Sequence, residues 1–128
     1  MTYYSTELNR IRQAHYSNKG QLDTVIGTRH FIVCNLDREV NLDLLARVRF
    51  TSKFHLLRLF KRFYGQTPKQ YLIGQRIEKA KELLKLGMTV TDVCFEVGFD
   101  SPCSFSTVFK ARTGKSPLTF KKEQVSQS

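Results

Sequence analysis

The 128-residue chain lacks the features that mark membrane, secreted and metal-binding proteins. No apolar run approaches the roughly 20 residues that a helix needs to span a bilayer, and the N-terminal segment MTYYSTELNR lacks the apolar core of a signal peptide. The three cysteines are an odd number and include no CxxC pair, which argues against a disulfide framework or a zinc site. A cytoplasmic protein with reduced thiols, no metal and no cofactor is therefore expected.

Signatures of catalysis are also missing. The sequence has no HExxH, P-loop or GxSxG motif and no pair of carboxylates on one predicted helix face. His15, His30 and His55 stand far apart in the chain, and His55 lies among cations, where it suits a phosphate contact better than a catalytic role. We therefore do not expect an enzyme.

Acidic residues are absent from two long stretches, 44–77 and 101–122. The first stretch holds eight lysines and arginines and the second holds five, in a chain whose formal net charge is +10. Because a solvated surface ordinarily mixes both signs of charge, two one-sign stretches predict two contact surfaces for one polyanion. The expected partner is therefore anionic: nucleic acid, an acidic membrane surface or an acidic protein.

Helix-start signals divide the chain. Each proline follows a serine or threonine, and this pairing of an N-cap residue with proline is typical of the first turn of a helix. No alternating apolar run of five or more residues predicts a strand. The sequence thus predicts an all-α fold of seven helices, or eight if Thr6–Tyr16 is also helical. The seven are expected at about 22–36, 42–48, 53–64, 68–86, 90–97, 102–113 and from Pro117 onward.

One segment of the chain occurs twice. Residues 52–71 and 101–120 align without a gap and share five identities, where random pairing of twenty positions gives about one. The identities are Ser52/Ser101, Phe60/Phe109, Lys61/Lys110, Gly65/Gly114 and Pro68/Pro117. A short helix and a tight turn precede each copy, so the sequence predicts two helix-turn-helix units. The first turn is expected at 49–51 and the second at 98–100. Measured from Ala46 and Cys94, the second connection is one residue longer.

The second helix of a helix-turn-helix enters the DNA major groove with its N-terminal residues at base edges. The expected inward face of the first such helix consists of Leu56, Leu59, Phe60 and Phe63. Arg58 is the best candidate for a bidentate guanine contact. Phe54 and Leu57 are candidates for contacts with thymine methyl groups, unless they pack on a neighbouring helix. The groups that suit phosphates are Lys53, His55, Lys61 and Arg62.

The second unit offers weaker readers. Its outward positions are Pro102, Cys103, Ser106, Thr107 and Lys110. None is an Arg, Gln or Asn that could read a purine through two hydrogen bonds, so this unit is expected to add affinity and register more than discrimination. The helix between the units, roughly 30 Å for about 19 residues, nearly matches the ~34 Å turn of DNA. That length predicts two readers in successive major grooves.

The chain resembles the AraC/XylS family of bacterial transcriptional regulators over about residues 22–122. The resemblance is carried by SKFHLLRLFKRFYGQTPKQYL and IEKAKELL. Its most specific part is the motif GF-x₅-F-x₃-FK-x₃-G-x-(S/T)-P, here from Gly98 to Pro117. It implies two helix-turn-helix subdomains joined by a long central helix. It also implies a regulator, usually an activator, that binds double-stranded promoter DNA as a monomer and has RNA polymerase as a further partner.

The resemblance also assigns contact residues. The family's base contacts fall on Lys53, Phe54, Leu57 and Arg58 in the first unit and on Pro102, Cys103, Ser106 and Thr107 in the second. Its backbone contacts fall near His55, Lys61 and Lys110. At Leu57, Cys103 and Thr107 family members more often carry polar or charged readers, so the target sequence cannot be transferred from the family.

The expected organisation is an N-terminal extension over 1–20, helical or not, a DNA-binding domain over 21–123 and a frayed tail over 124–128. Within the domain the expected parts are a first helix-turn-helix at about 42–64, a linker helix at about 68–86 and a second helix-turn-helix at about 90–113. Because only about 20 residues precede the first family helix, too few for a ligand-binding domain, a small stand-alone regulator is expected. A fragment of a longer regulator is the alternative.

Two other functions stay open. A basic helical domain could bind RNA or an acidic protein, although no paired aromatics on a sheet are available to stack bases. Cys103, at the start of the second reading helix and among cations, could be a redox sensor whose oxidation alters DNA affinity.

Overall fold

The computed structural model describes residues 3–126, with side chains described from residue 19 to residue 124. The described chain forms seven α-helices and no strand, which confirms the predicted all-α fold. The helices are α1 Tyr3–Cys34, α2 Leu42–Val48, α3 Lys53–Tyr64, α4 Pro68–Lys85, α5 Val90–Glu96, α6 Pro102–Thr113 and α7 Pro117–Ser126. Among these described helices, none combines the length and apolar character needed to cross a bilayer.

Both ends of the chain are more helical than the sequence predicts. The segments expected as separate helices at Thr6–Tyr16 and 22–36 form one helix, α1, because no proline interrupts them and Gly20 accommodates the helical backbone. At the other end α7 runs to Ser126, so residues 124–126 continue a helix where a frayed tail was expected. Residues 127 and 128 lie outside the described residues, and the domain limits stay a prediction.

Most helices begin at a side chain that caps them. Six of these caps accept a hydrogen bond from the backbone N–H three residues ahead, at Asn41, Ser52, Thr67, Thr89, Ser101 and Ser116. At α4 the cap is reciprocal, because Gln70 Oε1 accepts the Thr67 N–H at 2.9 Å while Thr67 Oγ1 accepts the Gln70 N–H at 3.1 Å. Each cap stabilises its helix by about 1 kcal/mol. The starts of α3 and α6, the second helices of the two helix-turn-helix units and here called the reading helices, are therefore set by their own sequence.

The protein has two hydrophobic cores that share one helix. The first core consists of Val25, Ile32, Leu45, Ala46, Leu56, Leu59, Phe60 and Leu72. The second core consists of Ile77, Ala80, Leu84, Val93, Cys94, Val97, Phe105 and Phe109. The side chains of α4 thus pass from the first core to the second between Leu72 and Ile77. This helix is the physical connection between the two helix-turn-helix units.

One aromatic contact is repeated in both cores. The rings of Phe60 and Tyr71 meet edge to face with centres 5.6 Å apart. The rings of Phe109 and Phe120, at the corresponding positions of the sequence repeat, meet edge to face at 5.5 Å. Such pairs contribute roughly 0.5–1.5 kcal/mol beyond the area that they bury. The duplication is therefore present in the packing as well as in the order of helices.

The prediction that Phe63 faces the first core is wrong. Phe63 is 42 % exposed, and the Arg62 guanidinium carbon lies 5.9 Å from its ring centre. Tyr64 takes the core side of this last turn of α3, with its ring centre 4.8 Å from that of Phe60. Phe63 and Tyr64 lie on either side of the boundary of the buried stripe, where helical periodicity does not decide between them.

The turns inside the two helix-turn-helix units share one hydrogen bond and differ by one residue. The Thr51 N–H donates to the Ala46 carbonyl at 3.0 Å, and the Phe99 N–H donates to the Cys94 carbonyl at 3.0 Å. The cap of the next helix follows Thr51 directly, whereas Asp100 is inserted after Phe99. The extra residue expected in the second turn is therefore Asp100.

In both turns the residue that precedes the donor of this hydrogen bond has a positive φ. It is Gly98 in the second turn, at 101°, and Phe50 in the first, at 53°. Within the described chain Phe50 is the one non-glycine residue with positive φ, and its side chain is 97 % exposed. A bulky residue in the left-handed region costs roughly 1–2 kcal/mol, and no burial of Phe50 offsets this cost.

We predict that Phe50→Gly stabilises the protein by about 0.5–1 kcal/mol, because glycine avoids the steric penalty but is more flexible in the unfolded chain. A higher urea midpoint, followed by circular dichroism, would show this. The matched control is Gly98→Ala, which should lower the midpoint because a Cβ there would lie 2.4 Å from the Leu36 carbonyl oxygen. A midpoint for Phe50→Gly at or below that of the wild type would contradict the prediction.

Candidate nucleic-acid interface

The outward face of α3 is cationic and aromatic. Its inner side is buried at Leu56, Leu59 and Phe60. Its exposed side chains include Lys53, Phe54, Arg58, Lys61 and Arg62. Within the part of the chain whose side chains are described, Arg58, Lys61 and Arg62 form no ion pair with a carboxylate. Their charge is therefore open to an external anion.

The N-terminus of α3 combines a cation with an aromatic ring. Lys53 Nζ lies 5.5 Å from the centre of the Phe54 ring and 3.6 Å from Asp43 Oδ1 on α2. Phe54 is 64 % exposed, so neither core covers it. An ion pair this exposed contributes about 0–1 kcal/mol, and Lys53 can therefore exchange Asp43 for another anion at little cost.

Two predicted contact residues of α3 lie deeper than the others. Leu57 and His55 are half-buried. Leu57 lines a cleft of about 660 Å³ together with Leu42, Leu45 and Leu72. Leu57 therefore faces this cleft, whereas Phe54 is exposed, and the contact roles of both residues stay predictions.

The corresponding face of α6 carries less charge. Its inner side is buried at Phe105 and Phe109. The predicted contacts Pro102, Cys103, Thr107 and Lys110 are exposed, and Ser106 is half-buried. The Thr107 hydroxyl donates to the Cys103 carbonyl at 3.0 Å, so only its acceptor lone pairs remain for a base. Lys110 supplies the one positive charge among these five positions.

Three arginines of the acid-free stretches bind the protein itself. The Arg49 guanidinium packs over Gly27 of α1, where it leaves no room for a Cβ. Arg112 on α6 donates to the Gln70 carbonyl of α4 at 3.2 Å. Arg76 on α4 donates to two carbonyls of the loop between α1 and α2. These roles are not predicted from the sequence, because charge alone does not separate a cation that binds a partner from one that holds helices together.

The three thiols differ in their surroundings. Cys34 and Cys103 are exposed, whereas Cys94 is buried in the second core. Burial raises the pKa of the Cys94 thiol, and the Asp100 carboxylate raises this pKa further. Cys34 Sγ lies 3.6 Å from His30 Nε2, one turn earlier on α1. Among the described residues, no group of three or more His, Cys, Asp or Glu side chains could hold a metal ion.

The linker helix α4 connects the two units and contributes to the cores of both. The 18 residues of α4 extend about 27 Å, close to the ~34 Å repeat of DNA. Each reading helix has its own cap, follows a short helix across a tight turn and contributes to its own core. This arrangement defines a protein with two helix-turn-helix units in one chain. The assignment of single residues to bases or phosphates remains a prediction.

Known proteins that are similar to this chain also contain helix-turn-helix domains. A model of a helix-turn-helix domain family matches residues 45–123. The chain belongs to the AraC-type helix-turn-helix family of transcriptional regulators, and the resemblance found in the sequence is confirmed.

Individual relatives cover different parts of the chain. An uncharacterized HTH-type transcriptional regulator in the cgkA 5' region of Pseudoalteromonas carrageenovora is 37 % identical over 92 residues, which cover 72 % of this chain and 55 % of the relative. The HTH-type transcriptional activator AarP of Providencia stuartii is 36 % identical over 88 residues, with coverages of 68 % and 65 %. The chain therefore spans less than two thirds of either relative.

A solved structure shows the same architecture. The DNA-binding domain of AdpA, a global transcriptional factor, in complex with a target DNA, has a TM-score of 0.77 to this chain at 25 % sequence identity. The similarity covers 80 % of this chain and 94 % of that domain.

We predict that two of the three cysteines react rapidly with a thiol reagent in the native protein, because Cys34 and Cys103 are exposed and Cys94 is not. A colorimetric count of thiols under native conditions, and again in guanidinium, measures this. Cys103→Ser is the control and should lower the rapid count by one. Rapid reaction of all three thiols in the folded protein would show that the second core is open.

Proposed function

We propose that the chain is a sequence-specific, double-stranded DNA-binding transcriptional regulator that reads two successive major grooves of a promoter site. The observation that supports this most directly is the exposed cationic face of α3, where Arg58, Lys61 and Arg62 have no carboxylate partner among the described side chains. A face with less charge recurs on α6. The relatives are named as transcriptional regulators, and a structural neighbour is described in complex with its target DNA.

The two units have unequal roles in the proposed complex. The base-contacting residues are Lys53, Phe54, Leu57, Arg58, Pro102, Cys103, Ser106 and Thr107. The phosphate-contacting residues are His55, Lys61, Arg62 and Lys110. Arg58 carries most of the discrimination, because its guanidinium offers two donors that match O6 and N7 of guanine. The α6 unit contributes mainly affinity and register.

The proposed regulator is an activator that acts in the cytoplasm at the nucleoid, with RNA polymerase as a further partner. It binds as a monomer, because one chain supplies both of the half-site readers that many helix-turn-helix proteins obtain by dimerising. AarP, which is named an activator, supports the sign of regulation. Catalysis is not part of the proposal, since no catalytic motif accompanies the two units.

Selection of duplexes from a random pool tests the proposal. We predict one asymmetric consensus, because the two reading faces differ. The affinity for it should fall with salt at a log–log slope of about −3, since three or four phosphate contacts each contribute roughly −0.9. Equal binding of every duplex would contradict the proposal. Tighter binding of single-stranded RNA than of any duplex at the same salt would favour the RNA alternative.

Two alanine variants separate base reading from backbone contact. Arg58→Ala should lose about 1–3 kcal/mol of preference for the selected duplex over a scrambled one. Lys110→Ala should weaken both duplexes alike and reduce the salt slope by about 1. Arg29→Ala, which removes an exposed arginine of α1, controls for net charge and should leave the preference unchanged. Equal losses on both duplexes for Arg58→Ala would remove it from base recognition.

A further inference from the structure

The junction between the two units depends on one polar side chain. Between Leu72 and Ile77, α4 contributes no residue to either core, and Arg76 stands in this interval. Arg76 Nε donates to the Leu36 carbonyl at 2.8 Å, and its Nη2 donates to the Arg38 carbonyl at 2.8 Å. Both carbonyls belong to the loop that connects α1 to α2, and this loop leads into the first helix-turn-helix unit.

The same guanidinium also contacts the second unit. Its central carbon lies 5.7 Å from the centre of the Phe99 ring. Asp100 belongs to the second turn and Asp37 to the loop between α1 and α2, and both carboxylates oppose the lowering of the pKa of Arg76 by burial. Phe99 and Asp100 form part of the turn that precedes α6. One side chain of the linker helix thus joins the entrance of the first unit to the turn of the second.

The backbones of the two units approach closely at this point. A Cβ on Gly98 would lie 2.4 Å from the Leu36 carbonyl oxygen and 3.0 Å from the Arg76 guanidinium, so no side chain fits there. The equivalent residue of the first turn, Phe50, is fully in solvent and meets no such neighbour. The inserted Asp100 lines the same cleft as Arg76, and its carboxylate acts electrostatically on the guanidinium. The differences between the two turns therefore serve the junction.

We propose that Arg76 is a positioning residue that fixes the angle between the two reading helices and thereby sets the half-site spacing that the protein accepts. A planar guanidinium bonded to two carbonyls and stacked near a ring resists rotation, because each of its contacts is directional. Apolar contacts alone tolerate rotation better, because hydrophobic attraction has no preferred direction. A fixed angle raises the affinity for two grooves, since the second unit meets its half-site without a further loss of entropy. This inference rests on the proposed function.

A distance measurement without DNA tests the geometric part. Nitroxide labels on the exposed Cys34 of α1 and Cys103 of α6 report the separation of the two units by pulsed electron paramagnetic resonance, while the buried Cys94 stays unlabelled. We expect one narrow distance distribution for the wild type and a clearly broader one for Arg76→Met. Arg76→Lys keeps the charge but cannot bond to both carbonyls in the same way, so it should also broaden the distance distribution. If Arg76→Met does not fold, the distribution of Arg76→Lys tests the proposal. Arg29→Met is the charge-matched control and should stay narrow. Wild-type widths in both Arg76 variants would overturn the proposal.

A spacing series tests the functional part. The selected duplex is compared with one lengthened by about two base pairs between its half-sites, which rotates the second half-site by roughly 70°. The wild type should lose at least about 10-fold in affinity on the lengthened duplex. Arg76→Met should lose about 10-fold on the selected duplex and show a spacing penalty of only a few-fold, with its affinity for the isolated first half-site unchanged.

The two parts fail in different ways. A full spacing penalty in Arg76→Met would overturn the role of Arg76 while leaving the proposed function intact. If the wild type prefers no duplex, the proposed function fails, and the distance distributions still decide whether Arg76 holds the two units together.

Discussion

The linker helix α4 belongs to both hydrophobic cores, and the rest of the structure depends on this sharing. Leu72 is buried in the first core, whereas Ile77, Ala80 and Leu84 are buried in the second. Each added or removed residue in the helix would rotate one unit against the other by about 100° and shift it by about 1.5 Å. The number of residues in α4 therefore determines the directions in which the two reading helices face relative to each other. A change in that number would change the orientation of one unit relative to the other.

The interactions that fold each unit lie within that unit and away from its outward face. The Ser52 and Ser101 caps begin the reading helices, and the paired rings of Phe60 with Tyr71 and of Phe109 with Phe120 pack beneath them. The exposed positions contribute little to stability, since substitutions far from core, cap and strained sites usually change it by less than about 0.5 kcal/mol. The two faces are thus free to differ in charge and shape while the scaffold stays the same.

Most of the fold could be predicted from the sequence, because its signals are local. Caps, prolines and helical spacing involve residues three or four positions apart, and they place α2 to α7 closely. The features that the sequence did not predict correctly depend on contacts between residues that are distant in the chain. Whether Phe63 or Tyr64 enters the core is decided by the partner Tyr71. Arg76 and Arg112 bind carbonyls about 40 positions away, so the charge pattern grouped them with the cations of the outward faces.

The unlike faces of α3 and α6 have a geometric consequence. A symmetric dimer binds a palindrome and looks the same from either end of its site. In the proposed complex, a single chain with two different readers has no such symmetry, so its site would have a direction. Turning the site around on the DNA would place the opposite side of the protein toward the start of transcription. Exposed apolar side chains that lie off the reading faces, such as Leu118 on α7, would then point upstream for one orientation of the site and downstream for the other.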